Sequence, residues 1–251
     1  MISRISHRPF WLALLVLASV TSATAQLVVL PAPRLLTTMP MGGQVGSSFE
    51  VFITGENIEN VTELLFSTPK ITAKPVRDAA GKPVANKFLV TIAPDAPVGV
   101  YDARVMSRLG LSSARAFSVN SLSEVTRTAA NNSIETALKL PVNTICNATM
   151  TKRAFDYYSF EGKKGKRVAV DCAATGIDSR LTPVVIIADA QGQDLLVNRT
   201  GGVIDFTPPA DGTYLVKVND LTYQGGERHF YRLALQEVAG DDLAPQQPTT
   251  A

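Results

Sequence analysis

The segment DGTYLVKVNDLTYQGGERHFYRLAL, residues 211–235, collects residue types that could do chemistry: carboxylates, tyrosines, adjacent glycines and His229. A histidine serves as a catalytic base when a nucleophile and an orienting acid lie within hydrogen-bond reach. No GxSxG, HExxH or similar motif accompanies His229. We therefore interpret Asp211-Gly212 as a turn, Gly225-Gly226 as a β-hairpin loop and His229 as the start of the next strand.

Metal ligands are equally sparse in the sequence. Zinc takes three or four Cys, His or acidic ligands, whereas the chain after residue 25 has one histidine and two distant cysteines. Calcium takes six to eight oxygens, and the acids that could supply them follow no EF-hand spacing. These acids are Asp156, Asp178, Asp189 and Asp205. Aspartate favours turns because it bonds its own backbone, so we expect turn-forming aspartates, no metal, no cofactor and no catalytic residue.

The first 25 residues have the pattern of a signal peptide. A basic start is followed by an apolar run from Phe10 to Val20 and by Ala23-Thr24-Ala25, which has the form of a cleavage site. The run is too short to span a bilayer, which takes about 20 apolar residues, and no later run is long enough either. We therefore expect a chain that is secreted, periplasmic or attached to the cell surface.

The charge balance argues against nucleic acid or an anionic membrane as a partner. The first 25 residues contain two of the 24 Lys and Arg and none of the 22 Asp and Glu, so the remainder has equal numbers of each sign. A chain that binds nucleic acid usually has a basic patch or stripe. The one basic cluster, residues 152–167, contains acids and glycines and is interpreted as a solvated turn.

Most of the chain alternates apolar and polar residues, which is the period of a strand. Frequent Gly and Pro between short strands favour antiparallel β-sandwiches. Only residues 131–140, NNSIETALKL, are predicted to be briefly helical. The clearest apolar faces are Phe49/Val51/Ile53, Phe88/Val90/Ile92, Tyr101/Ala103/Val105, Val168/Val170/Cys172 and Tyr214/Val216/Val218.

The polar stretch SVNSLSEVTRTAANNS, residues 118–133, interrupts the strand pattern. It predicts one domain at 31–120 and another at 125–238. Residues 239–251, which include GDDLAPQQPTTA, are predicted to be a disordered tail or a linker to a further domain.

The first domain resembles the IPT/TIG-type immunoglobulin-like family. That family has a Pro-x-Gly-Gly turn, a strand ending in GxN and a PxGxYxxxV strand. The matching positions are Pro40, Gly43, Gly46, Gly55, Asn57, Pro97, Gly99 and Tyr101. The resemblance implies an antiparallel sandwich.

The second domain is similar to the bacterial pre-peptidase C-terminal (PPC) domain. The matching series runs from FDYYSFEG through DSRLTPVVIIADAQG and FTPPADGTYLVKVND to the closing YRLAL. The resemblance implies a jelly-roll-like β-sandwich that serves as an accessory module of secreted bacterial proteins, often peptidases. Ala154 stands where the family has the first acid of DxDxF, and TAANNS lacks the usual acid and proline. Both departures weaken any transfer of calcium binding from relatives.

The two cysteines suggest a structural disulfide. Cys172 shares the apolar face of Val168 and Val170, and Cys146 alternates with Val142 and Thr144. An oxidising compartment favours pairing, and closing this loop stabilises a fold by about 3 kcal/mol. Two buried free thiols that act as small hydrophobes are the alternative.

The sequence favours an exported, non-catalytic protein with two β-sandwich modules. Its expected partner is an extracellular polymer or a secreted protein, held by sandwich loops or an exposed sheet face. The alternative is the amino-terminal part of a larger secreted enzyme, such as a peptidase, whose catalytic module lies beyond residue 251.

Overall fold

The computed structural model describes residues 31–239 and Gln247. Strands dominate this part of the chain, and the predicted all-β sandwich fold is confirmed. The predicted signal peptide, residues 1–25, lies outside the described residues, as does most of the predicted tail. Within residues 31–239, no helix is both long and apolar enough to cross a membrane.

Strands between residues 34 and 120 form the N-terminal sandwich. In chain order they are β1 (Arg34–Met39), β2 (Gly42–Gln44), β3 (Ser48–Glu56), β4 (Glu63–Phe66), β5 (Ile71–Arg77), β6 (Pro83–Ile92), β7 (Gly99–Ser107), β8 (Gly110–Leu111) and β9 (Arg115–Asn120). One sheet has the order β1-β3-β6-β5, and the other has the order β2-β9-β7-β4 with β8 beside β7. Side chains from both sheets meet in one core, where Val51, Val90 and Phe117 are fully buried.

Strands between residues 123 and 237 form the C-terminal sandwich. They are β10 (Ser123–Thr126), β11 (Leu138–Lys139), β12 (Thr144–Thr149), β13 (Asp156–Gly162), β14 (Val168–Ala173), β15 (Pro183–Asp189), β16 (Asp194–Asn198), β17 (Ile204–Phe206), β18 (Gly212–Asp220) and β19 (Phe230–Glu237). A short 3₁₀ turn, Thr175–Ile177, follows β14. The sheets have the orders β10-β12-β19-β14-β17 and β11-β13-β18-β15-β16. Their shared core includes Tyr158, Val216 and Leu233.

The two sandwiches meet through a small apolar cluster of Met41, Ala116, Ala173, Ile177 and Phe230. Asp178 accepts a hydrogen bond at Oδ2 from the backbone N–H of Ala116, at 2.8 Å. From Ala32 onward the chain clusters as one compact unit. The division into domains at 31–120 and 125–238 stays a prediction.

Arg232 contacts residues of both sandwiches at this junction. Its fully buried guanidinium donates from Nη2 to Glu124 at 2.7 Å and from Nε to Gln247 at 3.2 Å. The guanidinium also packs on Gly42, where a Cβ would lie 1.8 Å from Nη1 of Arg232 and 1.9 Å from the carbonyl oxygen of Ser118. Position 42 therefore accepts only glycine without a shift of its neighbours.

The helix predicted at residues 131–140 is wrong. This stretch forms a turn and then the short strand β11. Ser133 and Thr136 hydrogen-bond each other, which competes with a helical backbone. Asn131 and Leu140 use their backbone groups to bond β13 at Tyr157 and Ser159, so pairing with a strand edge overrides the local helical preference.

The hairpin predicted at Gly225-Gly226 is also wrong. The flanking strands β18 and β19 lie in opposite sheets, so the loop crosses from one layer to the other. The positive φ expected of a glycine turn is present at Gly226, where φ is 97°. Asp211 lies in a bend, and β18 begins at Gly212 as the sequence predicts.

Cys146 and Cys172 are free thiols in this structure. Both are paired in register with Leu233, which lies on the strand between them. Two strand spacings separate their backbones by about 9.5 Å, whereas a disulfide requires Cα atoms within about 7 Å. The expected disulfide is therefore absent, because β19 separates the two thiols, and they occupy the sheet as small hydrophobic side chains.

Candidate functional site

Three aromatic side chains form a cluster at one end of the C-terminal sandwich. Phe155 lies 6.3 Å from Tyr157 and 6.1 Å from Tyr223, measured between ring centroids, and it meets Tyr223 edge to face. Tyr223 is 47% exposed, and the other two are half-buried. We call Phe155, Tyr157 and Tyr223 the aromatic cluster.

Strand β13 supplies the first half of the aromatic cluster. Successive side chains of a strand point to opposite faces, so Tyr158 enters the core while Tyr157 points outward. Tyr157 lies opposite Lys217 of β18, at the surface of its sheet. Phe155 directly precedes the strand, and its carbonyl accepts a hydrogen bond from the side-chain amide of Asn132 at 3.2 Å.

A buried polar network anchors this end of β13 from within. Asp156, which stands between Phe155 and Tyr157, is fully buried, forms an ion pair with Arg127 at 2.6 Å and accepts a hydrogen bond from Tyr231 at 2.7 Å. Burial would lower the pKa of Arg127, but Tyr231 and the carboxylate of Asp156 outweigh that effect and raise it. Such a paired carboxylate fixes the backbone that presents both rings.

Asp220 builds the turn that carries Tyr223. Its Oδ1 accepts hydrogen bonds from the backbone and hydroxyl of Thr222 and from the backbone of Gln224, at 2.7–3.0 Å. Its Oδ2 accepts from the backbone of Thr182 at 3.0 Å. Burial alone would raise the pKa of Asp220, but these hydrogen bonds outweigh it and hold the pKa below the ordinary value. The carboxylate is thus charged at neutral pH and organises the loop.

Tyr223 adopts a left-handed backbone conformation with φ at 57°. This conformation is an outlier for a bulky L-residue and costs about 1–2 kcal/mol. Arg153 has the same φ, and its backbone N–H donates to the carbonyl of Tyr223 at 3.1 Å. Two strained residues therefore hold each other in place beside the exposed ring. Strain of this kind concentrates at functional sites.

The loop from β18 packs closely against the segment that precedes β13. A Cβ at Gly225 would lie 2.4 Å from the backbone nitrogen of Lys152, so glycine permits the approach. Gly226 donates to the carbonyl of Met150 at 2.9 Å. Lys152 and Arg153 are exposed beside the rings, and neither forms an ion pair with another described residue. The surface thus combines apolar ring faces with two free cationic donors.

The residues that the sequence singled out do not assemble into a catalytic or metal site. His229 is half-buried, and its side chain has no hydrogen bond or ion pair with the described residues. Asp178 bonds across the junction, Asp189 caps its own turn at Gln191 and Gln193, and Asp205 pairs with Arg167 at 2.8 Å. No three His, Cys, Asp or Glu residues come together as metal ligands within the described part of the chain.

Sequence reasoning missed the aromatic cluster, although two signals were present. The run FDYYSF alternates so that its third and fourth aromatics, Tyr158 and Phe160, face inward, which leaves Tyr157 outside. Tyr223 lies in a turn between Asp220 and Gly225, where small or polar residues are favoured and a large aromatic residue is unusual. Neither signal indicates that the two segments meet, because residues 155 and 223 are distant in the chain.

Comparison with known proteins gives partial likenesses. No family model matches the chain. A probable subtilase-type serine protease of Deinococcus radiodurans is 38% identical over 72 residues, which are 27% of this chain and 10% of that protein. The chain thus spans about a tenth of the length of that relative.

Among solved structures, the pre-peptidase C-terminal domain of collagenase from Bacillus anthracis is similar with a TM-score of 0.33 and 14% identity, over 39% of this chain and 93% of that one. A Bacteroides ovatus protein, SGBP-B, from a locus for mixed-linkage glucan utilisation has a TM-score of 0.27 and 17% identity, over 79% of this chain and 43% of that one. The expected IPT/TIG-type resemblance of residues 31–120 is not confirmed.

Proposed function

We propose that this chain is an exported, non-catalytic binding module that attaches to an extracellular polymer through the aromatic cluster. The observation that carries the proposal is Tyr223, a large aromatic side chain that is exposed while its backbone is strained. The edge-to-face contact with Phe155 is worth about 0.5–1.5 kcal/mol, which does not exceed the strain of about 1–2 kcal/mol, whereas asparagine or glycine adopts this conformation at lower cost. Binding supplies a reason to keep the exposed ring.

A polymer fits the cluster better than a small solute. The rings lie on an exposed part of the surface, whereas small molecules are usually held in concave sites that bury most of their surface. Aromatic rings pack on the repeating apolar faces of a polymer. A fully covered ring buries about 150–250 Å² of surface. Lys152 and Arg153 add donors at the edge. One such contact is weak, and the repeating units of a polymer supply it with many equivalent sites at high local concentration.

Export is required by this function. The predicted signal peptide at residues 1–25 supports it, and so does the balanced charge of the remainder, which offers no basic patch for nucleic acid. We therefore expect the protein in the periplasm, on the cell surface or in the medium.

Pull-down on insoluble collagen, chitin and cell-wall polysaccharide tests the proposal. The wild-type chain should sediment with at least one of these polymers, and Tyr223→Ala should not. Phe52→Ala is the matched control, because Phe52 is 49% exposed on the N-terminal sandwich and lies in a different sheet from the cluster. Failure of the wild-type chain on all three polymers contradicts the proposal.

A second candidate function is favoured by the partial likeness to a subtilase-type protease. In this reading the chain is the amino-terminal part of a larger secreted enzyme, and the same binding face positions catalysis on a polymer. Reading the gene past residue 251 tests it directly. A catalytic module in the same reading frame supports it, and a stop codon overturns it.

A further inference from the structure

Strands β14 and β19 are buried on both sides, although only one side faces the core of the C-terminal sandwich. Val170 and Leu233 face that core. Ala169, Asp171 and Ala234 alternate with them and therefore lie on the opposite side, which we call the outer face. Ala169 and Ala234 have no exposed surface, and Asp171 is 8% exposed. A sheet face with so little exposure is covered by a further layer of chain.

The contact between the two sandwiches covers one end of the outer face. Ala173 ends β14 and Phe230 begins β19, and both belong to the apolar cluster between the sandwiches. Ala169 and Ala234 do not belong to that cluster. Ala169 lies about 13 Å along the strand from Ala173. The middle of the outer face therefore requires a different cover.

Gln247 lies on the outer face with its side-chain amide held from both strands. Its Nε2 donates to the carbonyl of Asp171 at 3.2 Å and to the carbonyl of Arg232 at 2.9 Å. Its Oε1 accepts from Nε of Arg232 at 3.2 Å, and the residue is only 2% exposed. We call these three partner groups the amide slot. The slot offers two acceptors and one donor, which matches a primary carboxamide and not a carboxylate.

The main chain of Gln247 is bound as well. Burial raises the pKa of the Asp171 carboxyl to about 6, and hydrogen bonds from the side chain and the backbone of Gln247 offset part of that rise. A site that holds the backbone together with the side chain binds a stretch of peptide, and not an amide group alone. The described contacts therefore identify the cover of the outer face as the segment that contains Gln247.

The length of chain after β19 allows this segment to come from the same molecule. Gln247 contacts Arg232, which lies about 17 Å before the end of β19 at Glu237. The chain from residue 239 to residue 247 can span up to about 26–29 Å when it is extended. It is therefore long enough to turn back and reach the amide slot without a second copy.

We propose that the outer face of β14 and β19 is a peptide-docking face, and that its occupant is the chain's own segment 240–251, GDDLAPQQPTTA, anchored by Gln247 in the amide slot. The small side chains of Ala169 and Ala234 allow the segment to approach the sheet closely. The segment is then part of the fold, and not the disordered tail that the sequence predicts. The outer face shares no residue with the aromatic cluster, so this proposal does not depend on the polymer-binding function.

Backbone ¹⁵N relaxation of the exported chain tests the docking. We expect an order parameter near 0.85 at position 247 in the wild-type chain, as for rigid backbone, and below 0.6 in Gln247→Ala and Gln247→Glu. The glutamate variant keeps the shape of the side chain but replaces its donors with acceptors. Gln246→Ala is the matched control, because it removes an identical side chain one position earlier, and it should keep the wild-type value. A wild-type value below 0.6, or equal effects at positions 246 and 247, overturns the proposal.

A peptide of residues 240–251, added to intact chains at up to about 5 mM, identifies the occupant. It should bind the Gln247→Ala chain, whose own segment has left the outer face. It should not bind the wild-type chain, because the tethered segment competes at an effective concentration in the mM range. Binding to neither chain, or equal binding to both, overturns the proposal. Sedimentation should show a wild-type monomer, and a dimer that Gln247→Ala dissociates would assign the occupant to a second copy and overturn docking within one chain.

Discussion

At the scale of single residues, Tyr223 adopts a backbone conformation that costs folding free energy, and it presents an exposed ring that a ligand can contact. Its ring is exposed and its φ is 57°. The buried carboxylate of Asp220 accepts the hydrogen bonds that hold the turn around it. The side chain of Asp220 bonds Thr222 and Gln224 within the loop and Thr182 directly before β15, so the turn is rigid even though its tip is solvated. A rigid, exposed aromatic residue loses little conformational entropy when it binds.

The strain at Tyr223 predicts an unusual order of stabilities. Tyr223→Asn and Tyr223→Ala remove the same ring, but asparagine tolerates the left-handed conformation better than alanine. We expect Tyr223→Asn to be more stable than Tyr223→Ala by about 0.5–1 kcal/mol. Urea unfolding of the two variants measures this difference. Equal stabilities, or a more stable alanine variant, would show that the left-handed conformation is not retained.

Asp171 on β14 predicts a pH dependence. Burial raises its pKa to about 6, and hydrogen bonds from Gln247 offset only part of that effect. Because the folded pKa exceeds the unfolded value, Asp171 destabilises the fold increasingly as pH rises from about 4 to 6. Asp171→Asn should therefore be more stable than wild type by about 1–3 kcal/mol at pH 7.5 and equal at pH 3.5. Urea unfolding at both pH values checks this, and an advantage that is the same at both would contradict it.

At the scale of elements, the strands were predictable and their partners were not. Alternation located β3, β6, β7, β14 and β18, because each places one face in a core. The stretch 131–140 misled the prediction because its apolar spacing fits a helix, while pairing with β13 decides its structure. The Gly225-Gly226 loop had turn chemistry that fits a hairpin equally well. Which sheet receives the next strand depends on long-range packing.

The position of β19 between β12 and β14 predicts the state of the cysteines. Both thiols lie in register with Leu233 from opposite sides, beyond disulfide reach. Intact-mass measurement after alkylation of the denatured, unreduced protein should show two added groups. A mass without added groups, together with a peptide that links Cys146 to Cys172, would contradict this strand order.

At the scale of the whole molecule, the junction couples the sandwiches through contacts that are remote in sequence. Arg232, near the end of the second sandwich, packs on Gly42, near the start of the first. The sequence identifies Gly42 as a turn residue, but nothing local indicates that an arginine head group covers it. The aromatic cluster escaped prediction for the same reason, since its two segments meet only in the folded chain.

Gly42→Ala tests this coupling. The added methyl group overlaps the guanidinium of Arg232 and the carbonyl of Ser118, so we expect a loss of about 2–3 kcal/mol in the free energy of unfolding. Gly99→Ala is the control, because no atom lies within 4 Å of its Cβ position. Thermal or urea unfolding measures both variants. Equal stabilities would show that Arg232 does not pack on Gly42.

The central claim is that Tyr157 and Tyr223 bind an extracellular polymer. Depletion isotherms on the polymer retained in pull-down test it, with wild type, the double variant Tyr157→Ala/Tyr223→Ala and Phe52→Ala as the control, each shown by circular dichroism to be folded. We predict that the Kd of the double variant rises at least about tenfold, as for a binding hot spot, while Phe52→Ala stays within about twofold of wild type. A folded double variant with the Kd of wild type would contradict the claim.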